Sequence, residues 1–229
     1  MQILHPFAGS VQQYTEQLSD PDLHRPGNCP QCPARQPLTA HGFYTRTLID
    51  VAFDGIIRVR RYLCRSCKRT VSLLPEFVLP YLRSSIVVIA LFLLARLLQA
   101  QTLNAAAATA VPASMPYQRG QFWIRRFVQQ AEALCAALAA LTKPAPAADF
   151  VSRALGMLES TGWITAHRFL FAGLRGHLLG WAAGSRSGWP PRRILSGRCA
   201  RLRLPTHHWS GIGPPPPLRL GAGEKTPDG

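Results

Sequence analysis

Two Cys-x-x-Cys pairs are the residues of this sequence whose type and spacing point most directly to chemistry. Cys29 and Cys32 form the first pair, and Cys64 and Cys67 form the second pair after an intervening segment of 31 residues. Each pair can place two thiolates on one tetrahedral metal ion. Four thiolates leave no open coordination position, so we expect a structural Zn²⁺ ion without catalysis. The alternatives are two unrelated pairs of buried cysteines or a redox motif.

The segment between the two pairs predicts a β-hairpin that would bring them together. Gly42–Val51 and Ile56–Leu63 have the composition of strands, and Phe53-Asp54-Gly55 is a hairpin-turn signal. A hairpin of this kind capped by a metal ion is a zinc ribbon. We therefore expect a small β zinc ribbon over residues 29–80.

Alternation along the second strand predicts one apolar face and one basic face. Ile57, Val59 and Leu63 would share the apolar face. The basic face would hold Arg58, Arg60 and Tyr62, with Tyr44 and Arg46 joining it from the first strand. The expected contacts to phosphate groups are Arg46, Arg58, Arg60, Arg61, Arg65, Lys68 and Arg69. The alternative is a solvated strand face.

The charge distribution favours a polyanionic partner. The chain has 229 residues and a net charge of +15. Residues 23–84 contain ten Lys and Arg against three Asp and Glu, a net charge of +7. A local surplus of this kind most often serves nucleic acid, whereas solubility alone would not require the charges to be gathered in one segment.

The Ala- and Leu-rich residues that follow predict an all-α helix-turn-helix region over 81–143. Ser84 or Ser85 can cap a helix to about Gln99, Thr102–Ala110 forms a short helix, and Ser114 can cap a helix beginning near Tyr117. In this plan the second helix of the pair reads base edges in the major groove. The residues expected to contact DNA are Gln118, Arg119, Gln121, Arg125 and Arg126. The alternative is plain helix packing.

The same helix should bury one stripe of its side chains. The residues at helical spacing are Ile124, Phe127 or Val128, Ala131, Leu134, Cys135, Leu138 and Leu141.

The two ends of the chain give weaker signals. Residues 1–28 predict an N-terminal arm with one short helix, for which Ser10 and Gln13 form a capping box. In the helical segment 149–184, Asp149 caps one helix and Trp163–Trp181 forms another, whose surplus of apolar surface suggests a homo-oligomer contact through 163–181 or a core whose other half is missing. Residues 185–229 hold eight Pro, seven Gly and seven Arg, which predicts a disordered tail or an out-of-frame product.

Several of these segments resemble a known family. Cys29–Cys32, His41–Arg46, Val59–Cys67 and Thr70–Pro75 are similar to the zinc ribbons of insertion-sequence transposases. The similarity is greatest to a bacterial family of uncharacterised transposon-associated proteins, in which a zinc ribbon precedes a helix-turn-helix. Gln118–Phe127 resembles the recognition helix of that family. The resemblance implies DNA binding, with Cys29, Cys32, Cys64 and Cys67 as zinc ligands.

The acidic residues do not suit a transposase reaction. Strand transfer by the acidic-triad enzymes needs three carboxylates that hold two divalent metal ions. After residue 84 the acids are Glu132, Asp149, Glu159, Glu224 and Asp228, and no strand-rich region remains to gather them. We therefore expect a protein that is not an enzyme.

The sequence hypothesis is a zinc-dependent DNA-binding protein of a mobile element, either an accessory protein or the remnant of a transposase. The alternative is a zinc-ribbon module that docks a protein partner through its apolar C-terminal segment. The longest apolar run, Ile86–Ala95, is too short to span a membrane, and the opening residues lack a secretory signal. A cytoplasmic, nucleoid-associated location is expected.

Overall fold

The β part of the protein is a four-stranded mixed sheet in the order β1-β4-β3-β2. The structure is a computed structural model that describes residues 1–17, 24–32, 38–111, 115–144, 146–174 and 176–180. The strands are β1 (Gln2–His5), β2 (Thr39–Asp50), β3 (Phe53–Leu63) and β4 (Thr70–Pro75). Helices follow this sheet, so the predicted order of a β region before an α region is confirmed. The tail predicted over 185–229 lies outside the described residues.

The β-hairpin between the cysteine pairs is present, but its turn is not where the sequence predicts it. β2 and β3 pair antiparallel from Asp50 opposite Phe53 to Thr39 opposite Leu63, so the turn consists of Val51 and Ala52. The predicted turn at Phe53-Asp54-Gly55 is wrong. A displaced turn changes the register, and an odd change in register moves side chains to the opposite face of the sheet.

A β-bulge interrupts the hairpin near the cysteine end. Ala40 lies opposite Tyr62 and Phe43 opposite Arg60, so His41 and Gly42 together oppose one residue of β3. Gly42 has a φ of +78°, which a residue with a Cβ atom rarely adopts.

The N-terminal segment is part of the sheet, so the predicted arm is wrong in this respect. β1 pairs parallel with β4, with Ile3 opposite Leu73. A four-residue strand has too short a pattern to be recognised from its sequence. The predicted short helix is confirmed as α1 (Val11–Gln17), and so is its capping box. The Ser10 N–H donates to Gln13 Oε1 at 2.8 Å, and the Gln13 N–H donates to Ser10 Oγ at 3.2 Å.

Both faces of the sheet carry buried apolar clusters. One cluster packs α1 against the sheet and contains Val11, Tyr14, Leu48, Ile57, Val59, Leu74, Phe77 and Val78. The other surrounds the cysteines and contains Cys29, Leu38, Tyr62, Cys64, Val71 and Leu73. A sheet covered on both faces is a rigid support for the residues at its cysteine end.

Five helices follow the sheet in the part of the chain that the structure describes, and the predicted caps Ser85 and Asp149 are confirmed. They are α2 (Ile86–Leu97), α3 (Leu103–Ala110), α4 (Tyr117–Leu138), α5 (Phe150–Thr161) and α6 (Trp163–Leu174). The side chains of Ser85, Thr102 and Asp149 accept hydrogen bonds from backbone N–H groups in the first turns of α2, α3 and α5. The predicted cap Ser114 lies outside the described residues.

The buried stripe of α4 differs from the predicted one. Phe127, Ala131, Leu134, Cys135 and Leu138 are buried as predicted, whereas Val128 and Leu141 are exposed. The stripe also includes Trp123, one residue before its predicted start at the half-buried Ile124. Trp123 is fully buried and packs edge-on against Phe92 of α2 with ring centroids 5.5 Å apart. Trp123 is buried because α2 covers the N-terminal part of α4. The periodicity of α4 alone does not show that another helix covers it there.

The last helix is shorter than predicted. α6 ends at Leu174, and the described residues 176–180 are not helical, so the prediction of one helix over Trp163–Trp181 is wrong. The chain then turns back, and Leu178 and Leu179 are buried in the helical core together with Ala166 and Leu170. Among the described apolar residues of 163–181, Leu170, Phe171, Leu178 and Leu179 are buried, and Trp163, Ile164 and Phe169 are half-buried.

The sheet and the helices are joined by backbone and side-chain hydrogen bonds. The Ile49 N–H donates to Arg83 O at 2.7 Å, and the Ser85 N–H donates to Ile49 O at 2.9 Å. These bonds fix the start of α2 beside the end of β2. Within the described residues, no helix is both long and apolar enough to cross a membrane.

Candidate metal centre and basic surface

The four cysteines of the two Cys-x-x-Cys pairs meet at the end of the hairpin. Their Sγ atoms all lie within 4.8 Å of one another. The Sγ atoms of Cys29 and Cys67 are 3.8 Å apart, and those of Cys32 and Cys64 are 3.6 Å apart. Four sulfurs at a metal–sulfur distance of ~2.3 Å on a tetrahedron would be separated by ~3.8 Å. The cluster therefore has the size of a tetrahedral metal site, as the sequence predicts.

Backbone N–H groups lie against a sulfur atom in each pair, and in the second pair they favour the thiolate form of Cys64. The Gln31 N–H donates to Cys29 Sγ at 3.4 Å. The backbone N–H of Cys67 lowers the pKa of the buried Cys64 thiol to about 6, against the opposing effect of burial, and the N–H of Ser66 contributes in the same direction. Because a metal ion binds the thiolate, the N–H groups of Ser66 and Cys67 prepare Cys64 for coordination.

Local backbone structure holds the second pair in place. The Cys64 N–H donates to Arg69 O at 3.0 Å, which closes the loop that contains Cys67. Lys68 has a φ of +56° in this loop. The sequence gives no signal for this left-handed residue, because lysine has no preference for that conformation.

The donor set fits a structural metal ion. Two of the cysteines are buried and two are half-buried, and Tyr62, Val71 and Leu38 pack around them. Four sulfur ligands complete a tetrahedral coordination shell, so a bound ion would have no position for a substrate or a reactive water.

Arginines and aromatic rings alternate beside the cysteine cluster. The guanidinium carbons of Arg58 and Arg60 lie 4.2 Å and 4.6 Å from the centroid of the Phe43 ring. The guanidinium carbons of Arg60 and Arg25 also lie 5.4 Å and 6.0 Å from the centroid of the Tyr62 ring. We call Arg25, Phe43, Arg58, Arg60 and Tyr62 the arginine row. Stacking of this kind holds a guanidinium in place without neutralising its charge.

Two residues predicted for this surface lie on the opposite face of the hairpin. Tyr44 is opposite Val59, and Arg46 is opposite Ile57, so both share the face of the apolar cluster around α1. The displaced turn is the cause. Phe43, which the sequence analysis did not single out, takes the aromatic position instead, and Tyr62 is the fully buried member of the arginine row.

The remaining predicted cations lie on β3 and on the loop from Cys64 to Arg69 that leads into β4. Lys68 and Arg69 are exposed, and Arg69 Nη1 donates to Gln31 Oε1 at 3.2 Å. Exposed Arg65 donates from Nε to Thr39 Oγ1 at 3.0 Å. Half-buried Arg61 donates to Thr70 Oγ1 at 3.4 Å. These residues surround the cysteine cluster, and none of them forms an ion pair with a described carboxylate.

The predicted DNA-contacting residues of α4 occupy its first three turns. Gln118 and Arg125 are exposed, whereas Arg119, Gln121 and Arg126 are half-buried. Gln121 Nε2 donates to the Tyr117 hydroxyl at 2.8 Å, and Arg126 lies 5.6 Å from the Phe122 ring. The structure therefore leaves Gln118 and Arg125 as the most accessible members of this set.

A glycine allows α4 to approach α2 closely. A Cβ atom on Gly120 would lie 2.7 Å from Cζ of Phe92, well inside van der Waals contact. Gly120 is buried, and the aromatic ring of Phe92 fills the space that a side chain would take. This contact fixes the position of the N-terminal turns of α4.

Several polar side chains are buried without a sequence signal that predicted their burial, among them Glu76, His167 and His177. Glu76 is paired with Arg168 of α6, and His167 and His177 are buried in the helical core. A polar residue within an apolar run, such as Glu76 between Pro75 and Phe77, is the one signal that could have indicated a buried partner.

The fold and the cysteine cluster define a class: a mixed four-stranded sheet with a candidate metal site, followed by a helical region. A family described as Domain of unknown function (DUF6431) matches residues 29–111. The match begins at the first cysteine and ends directly after α3, so it contains both Cys-x-x-Cys pairs. No curated protein and no solved structure matches the chain.

Proposed function

We propose that the chain is a zinc-dependent DNA-binding protein. The four cysteines hold a structural Zn²⁺ ion in this proposal, and β2 and β3 form the zinc ribbon. The sulfur separations of 3.6 Å and 3.8 Å and the lowered pKa of Cys64 support coordination. We propose zinc because Zn²⁺ is commonly bound by four thiolates in a tetrahedral arrangement. Zn²⁺ also has no redox chemistry, which suits a structural site.

The arginine row is the observation that carries the DNA-binding proposal. Arg58 is exposed, neither Arg58 nor Arg60 has a described carboxylate partner, and both stack on Phe43. Guanidinium groups held in this way have lost conformational freedom while retaining their charge, so they are prepared for phosphate contacts. Lys68 and Arg69 extend the same positive surface around the cysteine cluster.

In this proposal, residues of α4 contact the base edges of the DNA. α3 and α4 would form the helix-turn-helix, and Gln118 and Arg125 would reach base edges, with Arg119, Gln121 and Arg126 beside them. Support comes from the exposure of Gln118 and Arg125 and from the close packing at Gly120 that positions the helix.

The association with a mobile element rests on the resemblance of the cysteine segments to transposase zinc ribbons. The role proposed is a non-catalytic accessory protein or a transposase remnant. Among the described residues, Glu132, Asp149 and Glu159 belong to α4, the cap of α5 and α5, and three or more carboxylates do not gather in any metal-binding group.

The protein-interaction alternative depended on exposed apolar surface near the C-terminus. In the described part of that segment, Leu170, Phe171, Leu178 and Leu179 are buried. The observations therefore favour DNA over a protein partner.

The proposal is tested by selecting bound duplexes from random DNA with the zinc-loaded full chain, followed by affinity measurements at several salt concentrations. Arg58→Ala should weaken binding to selected and random duplexes alike and reduce the salt slope by about one unit. Arg125→Ala should weaken binding to the selected duplex more than to random DNA. Lys143→Ala, which removes an exposed charge outside both surfaces, is the control. Absence of salt-sensitive binding in the wild-type protein would refute the proposal.

A further inference from the structure

Ile56 on β3 is an exposed apolar side chain next to the arginine row. It is 63% exposed, and no other large aliphatic side chain among the described residues is as exposed. Ile56 lies two residues before Arg58, so both side chains project from the same face of the strand. Contacts to phosphate groups account for the arginines of this face but not for Ile56.

The hairpin register surrounds Ile56 with exposed polar side chains. Thr47 lies opposite Ile56, and Thr45 lies opposite Arg58. Opposite residues of an antiparallel pair project to the same side of the sheet, so these four side chains share one face. All four are exposed. Arg60 continues the same face towards the cysteine cluster.

The sheet is only two strands wide beside Ile56. β4 pairs with β3 at residues 61–63, so of the described strands only β2 and β3 reach the turn end of the hairpin. The helix α1 packs on the opposite face, and the Tyr14 hydroxyl donates to Arg58 O at 3.0 Å. The hairpin is therefore a ribbon that is supported from behind and uncovered in front. A two-stranded ribbon fits the major groove of B-DNA, which is about 12 Å wide.

The spacing of the side chains along β3 suits a ribbon lying in a groove. At a rise of ~3.4 Å per residue, Ile56 lies ~7 Å from Arg58 and ~14 Å from Arg60. When Ile56 is at the base edges, the arginines therefore lie towards the phosphates that border the groove. The acid on this face, the exposed Asp54, lies beyond Ile56 on the side away from the arginines.

Duplex DNA offers an aliphatic side chain one apolar partner in its grooves. The C5 methyl group of thymine projects into the major groove, whereas the minor groove presents acceptors and the guanine amino group. An exposed isoleucine on a DNA-contacting face therefore matches thymine. The threonine opposite it, Thr47, can add its own methyl group to the contact.

We propose that the ribbon of β2 and β3 lies in the major groove, where Ile56 contacts the methyl group of a thymine while Arg58 and Arg60 bind the adjoining phosphates. The inference rests on the proposed DNA binding. It adds a second base-reading element besides α4, the groove that this element occupies and the base that it reads.

The experiment compares two duplexes that differ only in the thymine methyl group. One has alternating A·T pairs, so that every position of the protein along it meets a thymine, and the other has uracil in place of each thymine. Fluorescence anisotropy with the zinc-loaded full chain at low salt gives both affinities. The wild-type protein should bind the thymine duplex about fourfold more tightly, which is what burial of one methyl group contributes.

Variants at Ile56 assign the preference to this side chain. Ile56→Ala should lose the preference for thymine and keep most of the affinity for the uracil duplex, because the phosphate contacts remain. Ile56→Val should keep most of the preference. Val87→Ala removes an exposed aliphatic side chain from α2, outside the hairpin, and is the matched control that should keep the full preference. Circular dichroism should show the wild-type fold in all three variants, since the substituted side chains are exposed.

The outcomes separate this inference from the proposed function. Equal wild-type affinity for the two duplexes, or a thymine preference that survives Ile56→Ala, would overturn the inference and leave the proposed DNA binding intact. Binding to neither duplex would overturn the proposed function as well.

Discussion

Arg168 of α6 donates two hydrogen bonds to one carboxylate oxygen of Glu76, which follows the last strand of the sheet. The distances to Glu76 Oε2 are 2.9 Å from Nε and 2.7 Å from Nη2. The other carboxylate oxygen accepts from the Phe7 N–H at 3.2 Å. Glu76 is buried, whereas half of the Arg168 side chain is exposed. One carboxylate therefore connects the N-terminal segment, the sheet and the last helix.

Loss of this ion pair should destabilise the fold. Arg168→Gln removes the charged donors and leaves the buried Glu76 carboxylate with only the Phe7 N–H, so we expect a loss of about 1–3 kcal/mol in the free energy of unfolding. Urea denaturation at neutral pH measures the effect. Glu76→Gln can still accept from Phe7, and the double variant should be less destabilised than the sum of the two single variants. Additive losses would show that the two residues do not interact energetically.

The cysteine cluster makes a prediction about metal content. Cys64→Ser should abolish stoichiometric zinc binding and lower the melting temperature strongly, because structural zinc contributes on the order of 10 kcal/mol to folding. Elemental analysis and circular dichroism measure the two effects, and a chelator should reproduce them in the wild-type protein. Cys135→Ser is the matched control, since Cys135 is buried in the helical region and its Sγ donates to Phe150 O at 3.5 Å. Unchanged metal content in Cys64→Ser would contradict the site.

Two helical glycines provide a test of the α2–α4 contact. Gly120→Ala would place a Cβ atom 2.7 Å from the Phe92 ring, so we expect a loss of about 1–3 kcal/mol in the free energy of unfolding. Gly156→Ala on α5 meets nothing within 4 Å and should stabilise the protein by up to about 1 kcal/mol. Thermal denaturation of both variants measures the difference. If Gly120→Ala were as stable as Gly156→Ala, the close approach of the two helices would be disproved.

Buried His167 should make stability depend on pH. Burial, assisted by the neighbouring His177, lowers the pKa of His167 from 6.5 to about 3, and burial and Arg126 lower the pKa of His177 to about 4. The unfolded chain takes up these protons below pH 6.5 while the folded protein does not, so stability is full above pH 6.5 and declines as the pH falls towards these values.

The variant His167→Leu tests how much His167 alone contributes to this pH dependence of stability. Neither nitrogen of the His167 ring has a hydrogen-bond partner among the described residues, so the substitution should leave stability at neutral pH unchanged or raised. Urea denaturation between pH 6.5 and 5 should show one proton fewer taken up on unfolding than in the wild type. Comparison with the wild type at each pH cancels any common effect of metal release. An identical pH slope in both proteins would contradict the lowered pKa.

Much of the local structure was predictable because its signals lie within a few residues. The capping box of Ser10 and Gln13, the caps at Ser85, Thr102 and Asp149, and most of the buried stripe of α4 follow from side-chain chemistry within one or two turns. The four cysteines were predictable for the same reason. A hairpin between the two Cys-x-x-Cys pairs is enough to bring the four cysteines together, even when its register is predicted wrongly.

Local sequence patterns are sufficient to predict the cysteine cluster, the helix boundaries marked by caps and the surplus of positive charge. The hairpin register, which places Phe43 instead of Tyr44 beside Arg58 and Arg60, follows from the tertiary structure. The tertiary structure also decided that Gln2–His5 pairs with β4 and that Glu76 pairs with Arg168 across 92 positions. The physical reason is the same in each case. A local pattern specifies which side chains share a face, but which face is buried, and against what, depends on elements distant in the chain.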